Sequence, residues 1–156
     1  MQPYGPAVLR LAVGAVFVAH GAQKLLSAAG GGLPETASAF ADLGLTPVWP
    51  VALLIGLVEL AGGLLLICGA LTRWVSPVLA LATAVAVWKI HLPNGFFMNW
   101  SLAPGQGHGY EFSLALIAAL VSLMLTGPGA LSVDGRRART AEAAAYGRAR
   151  LRAGRV

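Results

Sequence analysis

Glu59 stands inside an apolar run from Val51 to Leu71, and a carboxylate in such a place is the strongest chemical signal in the chain. The run is long enough to cross a bilayer. Near the middle of a span an ionised side chain costs about 3 kcal/mol or more unless a partner or water reaches it. His20, Gln23 and Lys24 are the first groups able to do so, because side chains three and four apart share a helix face. Lys89, His91, His108 and Glu111 are further candidates. Carboxylates and imidazoles in a membrane relay protons, and ammonium and imidazole groups hold carbonyl or anionic ligands. The candidate ligand-binding or proton-relay set is therefore His20, Gln23, Lys24, Glu59, His91, His108 and Glu111, with no catalytic residue assigned. His91 and His108 match no zinc spacing, so no metal is expected. The one cysteine, Cys68, excludes an internal disulfide and dithiol exchange by this chain alone.

The elements that must position these groups follow from composition. With 156 residues, 57% hydrophobic and 11% charged, the chain is too apolar for a soluble domain of its size. It is read as an all-α, polytopic membrane protein, an antiparallel bundle of four transmembrane helices. The spans are expected at about 7–28, 48–70, 75–92 and 110–127, within a membrane domain of residues 1–134. The N-terminus lacks a basic segment, and its apolar run is too long for a signal peptide, so it is read as a retained span. Gly30-Gly31-Gly32 and a short amphipathic piece, Pro34 to Leu43, follow it; Phe40 and Leu43 are expected to dip into the lipid interface. Gly56, Gly62 and Gly63 form a low ridge that lets neighbouring helices approach Glu59.

Basic residues set the orientation. Arg73 and the arginines after Asp134 lie on one side of a four-span arrangement, whereas loops 30–46 and 96–109 contain no Lys or Arg. The positive-inside rule places both termini in the cytoplasm and those loops outside. Arg10 and Arg73 are then ordinary anchors at the inner ends. A rise of about 1.5 Å per residue puts His20 roughly 10 Å and Glu59 roughly 14 Å below the outer surface, so the two are at comparable depth. Residues 135–156 are expected to be a frayed basic tail, broken by Gly135, Gly147 and Gly154, whose Arg136, Arg137, Arg139, Arg148, Arg150 and Arg152 meet lipid headgroups. The net charge of +5 is mostly in this tail, which argues for a lipid surface and against nucleic acid.

Six fragments form an ordered set: Leu9-Arg10 through Phe17 to His20-Gly21 and Lys24-Leu25, Glu59 to Gly63, Leu71-Thr72-Arg73, Pro93-Asn94-Gly95-Phe96-Phe97, Gly109-Tyr110-Glu111-Phe112, and Thr126-Gly127-Pro128-Gly129 to Leu131-Ser132-Val133-Asp134. Together they resemble the DoxX family of membrane proteins. The resemblance implies a four-helix membrane bundle associated with redox or respiratory systems, in the bacterial cytoplasmic (inner) membrane, and its motif positions include His20, Lys24, Glu59 and Glu111. With no flavin, haem or iron–sulfur motif, the chain is expected to be an accessory subunit of an oxidoreductase system rather than a self-sufficient enzyme. Its polar pocket would open outward and bind a quinone or another small polar molecule. Transport of a solute or proton, and a scaffold for partner proteins, stay open as alternatives. The partners expected are the lipid bilayer, redox proteins and further copies of the chain.

Overall fold

The computed structural model describes residues 4–29 and 31–153, with side chains for all of these except 147 and 149–153. The described residues are helical with irregular connections: α1 (Tyr4–Leu25), α2 (Leu33–Asp42), α3 (Val48–Cys68), α4 (Thr72–Ala86), α5 (Glu111–Thr126) and α6 (Val133–Ala153). Helix α4 continues through a widened π turn, Val87–His91, and a 3-10 turn, Leu92–Asn94. Three helical stretches, Tyr4–Leu25, Val48–Cys68 and Thr72–Asn94, are long and apolar enough to cross a membrane. Helix α5 is apolar but has only 16 residues, about 24 Å of helix, against a hydrocarbon layer of about 30 Å.

Helices α1 and α3 run antiparallel and touch backbone to backbone. A Cβ on Gly63 would stand 2.7 Å from the Gly14 carbonyl oxygen, and one on Gly21 would stand 2.4 Å from the Leu60 nitrogen. Gly62 turns the other way, where a Cβ would meet Leu79 of α4 at 2.9 Å. This close contact sets Glu59 beside the last turns of α1. Gly21→Ala is expected to force the two helices apart at a cost of about 1–3 kcal/mol, read as a lower unfolding temperature in detergent. Val13, Phe17, Leu66, Leu79, Leu120 and Leu123 form the core between α1, α3, α4 and α5. Leu53, Leu54, Leu57, Leu64, Leu81 and Leu125 lie exposed on the outer surface, as bilayer-facing side chains must.

The end of the molecule that holds Arg10 is tied by polar contacts across the chain. Arg10 is 1% exposed, so it is not the snorkelling anchor expected from sequence. Its guanidinium donates to the carbonyls of Leu66 (3.1 Å), Ile67, Pro128 (3.0 Å), Ala130 (3.0 Å) and Leu131 (2.7 Å). These oxygens belong to the last turn of α3, where Leu66 also receives the Gly69 N–H at 2.9 Å, and to the segment before α6. Asp134 completes the knot: its carboxylate accepts the N–H groups of Leu71 and Thr72, each at 3.0 Å, and its own N–H donates to the Gly69 carbonyl. The first turn of α4 is thus capped from a distant part of the chain, and Asp134→Ala should cost about 1–2 kcal/mol, measured by thermal unfolding.

Two further expectations are corrected. Phe40 does not dip into lipid: it is 8% exposed and packs with Ala37 against Ala52 of α3, because α2 folds back onto the helix that follows it. Thr36 helps to hold that position, its one hydroxyl proton shared between the carbonyls of Gly32 at 2.8 Å and Lys24 at 3.1 Å. The tail is not frayed through residue 153: α6 is continuous across Gly135 and Gly147. Its alanines and arginines are strong helix formers, and two internal glycines at about 1 kcal/mol each do not outweigh them. Arg136, Arg137, Arg139 and Arg148 are exposed along it, while the side chains of Arg150 and Arg152 lie outside the described ones.

Candidate functional site

At the end opposite Arg10 the helices enclose a cavity of about 390 Å³. Helix α1 contributes Val16, Phe17, His20 and Lys24, and α3 contributes Val51, Ile55 and Glu59. The α4 side supplies Ala82, Thr83, Val85, Ala86, Lys89, Ile90 and His91. Phe40 and Leu43 close one wall, and Met98, His108, Phe112, Ser113 and Leu116 close another. Most of this lining is aliphatic or aromatic, with a few polar groups turned inward, which is the usual make-up of a small-molecule site.

Lys24 and Glu59 pair across the α1–α3 contact, with Nζ 2.5 Å from Oε2. The side chains are 23% and 12% exposed, so the pair sits in the cavity wall rather than in bulk solvent. His20 and Glu59, which helix rise puts at comparable depth, both line this cavity. The direct partner of Glu59 is the lysine one turn beyond the histidine. His20 bonds locally instead, its Nδ1 lying 2.9 Å from the Val16 carbonyl oxygen.

The π turn explains how three neighbouring residues reach the same space. Lys89, Ile90 and His91 all line the cavity, although consecutive residues of a regular α-helix would fan out by about 100° each. The wider turn absorbs one extra residue and turns His91 inward, where its Nδ1 lies 2.9 Å from the His108 carbonyl oxygen. Lys89 lies over the indole of Trp88, with Nζ 4.6 Å from the ring centroid, a cation–π contact that holds the ammonium at the rim.

Two of the sequence candidates are not gathered here. Gln23 is exposed and does not line the cavity; the side chains three and four apart do share a face, but Gln23 lies at its edge, where its carbonyl receives the Gly32 N–H. Glu111 is also absent from the lining, because its carboxylate accepts the Met98 N–H at 3.0 Å and holds the loop between α4 and α5. That loop is organised by a tight crossing. Gly109 donates to the Phe97 carbonyl, and a Cβ at Gly109 would meet the carbonyl oxygens of Gly95, Phe97 and Phe96 at 2.4 to 2.6 Å. Asn99, 7% exposed, donates to the Ala103 and Gln106 carbonyls and fixes the rest of the loop. Thr83 and Ser113 are lining residues that no sequence signal marked out. Among the described residues no cluster of three or more His, Cys, Asp or Glu side chains is placed to hold a metal ion.

An all-helical membrane protein with a largely apolar, ion-paired cavity at one end is the class that this fold and site define. The chain belongs to the DoxX family, whose model matches residues 5–92. It is 30% identical to an uncharacterized protein of Haemophilus influenzae, over 86% of this chain and 92% of that protein. It is 31% identical to an uncharacterized membrane protein of Mycobacterium tuberculosis, over 86% of this chain and 82% of that protein. It is also 31% identical to the protein named "Putative oxidoreductase CatD" of Bacillus subtilis, over 83% of this chain and 84% of that protein. No solved structure matches the chain.

Proposed function

We propose that this chain is an accessory subunit of a membrane redox system and that its cavity holds the head group of a quinone-class molecule. The observation that carries the reading is the Lys24–Glu59 pair set in the wall of an otherwise apolar cavity whose size suits one ring. Apolar walls such as Phe17, Ile55 and Phe112 would take the ring face, while the lysine, carboxylate and imidazoles would meet its oxygens. The name of the Bacillus relative as an oxidoreductase agrees with this reading. Electrons would be exchanged with a partner protein or a soluble cofactor.

In this reading four helices cross the bacterial cytoplasmic membrane as an antiparallel bundle, with α5 the short member. Both termini face the cytoplasm, and the cavity opens toward the outer face. Support comes from charge: Arg10, Arg73 and the α6 arginines gather at one end, and loops 30–46 and 96–109 at the other contain no Lys or Arg. The exposed arginines of α6 would rest on anionic headgroups. Titration of the purified protein with a short-chain benzoquinone and with its reduced form tests the site. Glu59→Gln combined with His20→Ala is expected to weaken binding of the tighter-bound form by about a hundredfold or more, since two polar contacts at about 1.4 kcal/mol each are removed. Unchanged binding in a folded double variant would remove this cavity as the site.

A further inference from the structure

The histidines of the cavity carry information about the redox state of the ligand, and the inference drawn from them rests on the quinone-class reading above. A backbone carbonyl oxygen accepts hydrogen bonds and never donates them. The ring nitrogen facing it must therefore bear the proton. His20 Nδ1 lies 2.9 Å from the Val16 carbonyl oxygen, and His91 Nδ1 lies 2.9 Å from the His108 carbonyl oxygen. Both rings, when neutral, are fixed as the Nδ1–H tautomer, and each is left with Nε2 as a lone pair. Moving the proton to Nε2 would set two lone pairs against each other at Nδ1. These residues stand on α1 and on the π turn that extends α4, two elements that each pack on both α3 and α5, and both line the cavity.

Glu59 and Thr83 add acceptors to the wall, beside Ser113 and His108, which can donate as well as accept. Glu59 uses Oε2 for Lys24, which leaves Oε1 as an acceptor. Thr83 spends its hydroxyl proton on the Leu79 carbonyl at 2.8 Å and offers only lone pairs to the cavity. Lys24 and Lys89 supply donors, so an oxygen that accepts is also served. A quinone carbonyl has no proton to give, and opposite a neutral His20 or His91 Nε2 it would meet lone pair with lone pair. The hydroxyl of a hydroquinone donates to Nε2 and accepts from an ammonium, using both kinds of group.

We infer that the cavity selects the reduced, hydroxyl-bearing form of a quinone-class ring, a hydroquinone, with His20 and His91 receiving its two O–H groups through Nε2. His20 is then a binding and proton-accepting residue for that form. The selectivity follows from the tautomers fixed by the backbone and not from cavity shape, which the two redox forms share.

The test is anaerobic titration of the purified full-length protein at about pH 8 with one short-chain benzoquinone, its hydroquinone, and the dimethyl ether of that hydroquinone. The hydroquinone is expected to bind about tenfold or more tightly than the other two, because the ether keeps the ring and oxygens but has no O–H. His20→Phe, which keeps a ring and removes the acceptor, is expected to cut that preference several-fold by weakening hydroquinone binding. A quinone that binds as tightly as the hydroquinone, or an ether that matches it, overturns the inference but leaves the quinone-class site standing. Failure of all three compounds to bind removes the site and this inference together. If His20→Phe does not fold, the comparison of the three compounds on the unaltered protein decides.

Discussion

Arg10→Met is expected to lower stability more than any other single substitution in the chain, by about 3–5 kcal/mol, seen as a large drop in unfolding temperature or as failure to accumulate in the membrane. Methionine fills similar space but donates nothing, so the carbonyls of Leu66, Ile67, Pro128, Ala130 and Leu131 all lose the donor they share. The end of α3 also loses a cation placed where its helix dipole is negative. Arg10→Lys should recover only a small part, because one ammonium cannot reach two separate backbone segments as a planar fork does. Equal stability of the lysine variant and the parent would show that charge alone, without the fork, holds these segments together.

Lys24→Met is the second large effect, and it should exceed that of Glu59→Gln. Breaking a fully buried ion pair costs about 3–5 kcal/mol, and with the partners 23% and 12% exposed a value of about 2–3 kcal/mol is expected for the lysine variant. Its removal strands a carboxylate in mid-helix among apolar neighbours. Loss of the carboxylate instead leaves an ammonium on a flexible stem in the last turn of α1, from which it can swing toward water. Glu59→Gln should therefore cost about half as much. A double-mutant cycle read by thermal unfolding checks both figures, and a coupling near zero would mean that the contact stabilises nothing.

Much of the fold is legible in the sequence because apolar run length and breaker residues act locally. Pro47, Gly69, the Pro93-Asn94-Gly95 break and Gly127 fall at or within a few residues of helix ends, and the glycine ridge around Glu59 is the surface on which α1 and α4 pack. Converting residue number to depth also brings the right helices together at Glu59. Depth does not tell which of two groups one turn apart will reach it: Lys24 does so, while His20 bonds to the Val16 carbonyl. Depth and helix face likewise place Glu111 and Gln23 with the cavity, where the structure does not have them. The loop that claims the Glu111 carboxylate has no periodicity from which to foresee it.

Arg10 shows the same limit from the other side. Near a helix start, arginine normally means a headgroup anchor, and nothing local distinguishes one that turns inward. The family fragments held the missing signal in a form that spacing cannot decode. Leu71-Thr72 meets Asp134, Arg10 meets Pro128 to Leu131, and Gly95-Phe96-Phe97 meets Gly109-Tyr110-Glu111. Fragments far apart in the chain are halves of two knots, one at each end of the helices. The π turn was equally hidden, since an extra residue in a helix leaves composition and hydropathy unchanged.

Native mass spectrometry of the full-length protein, released gently from its own membrane and compared with Glu59→Gln, puts the cavity to the most direct test. A bound molecule with the mass of a quinone or its hydroquinone is expected on the parent protein, and it should be largely lost from the variant. A parent protein that leaves the membrane with no such molecule, or a variant that retains it fully, would contradict a ligand site built around Lys24 and Glu59.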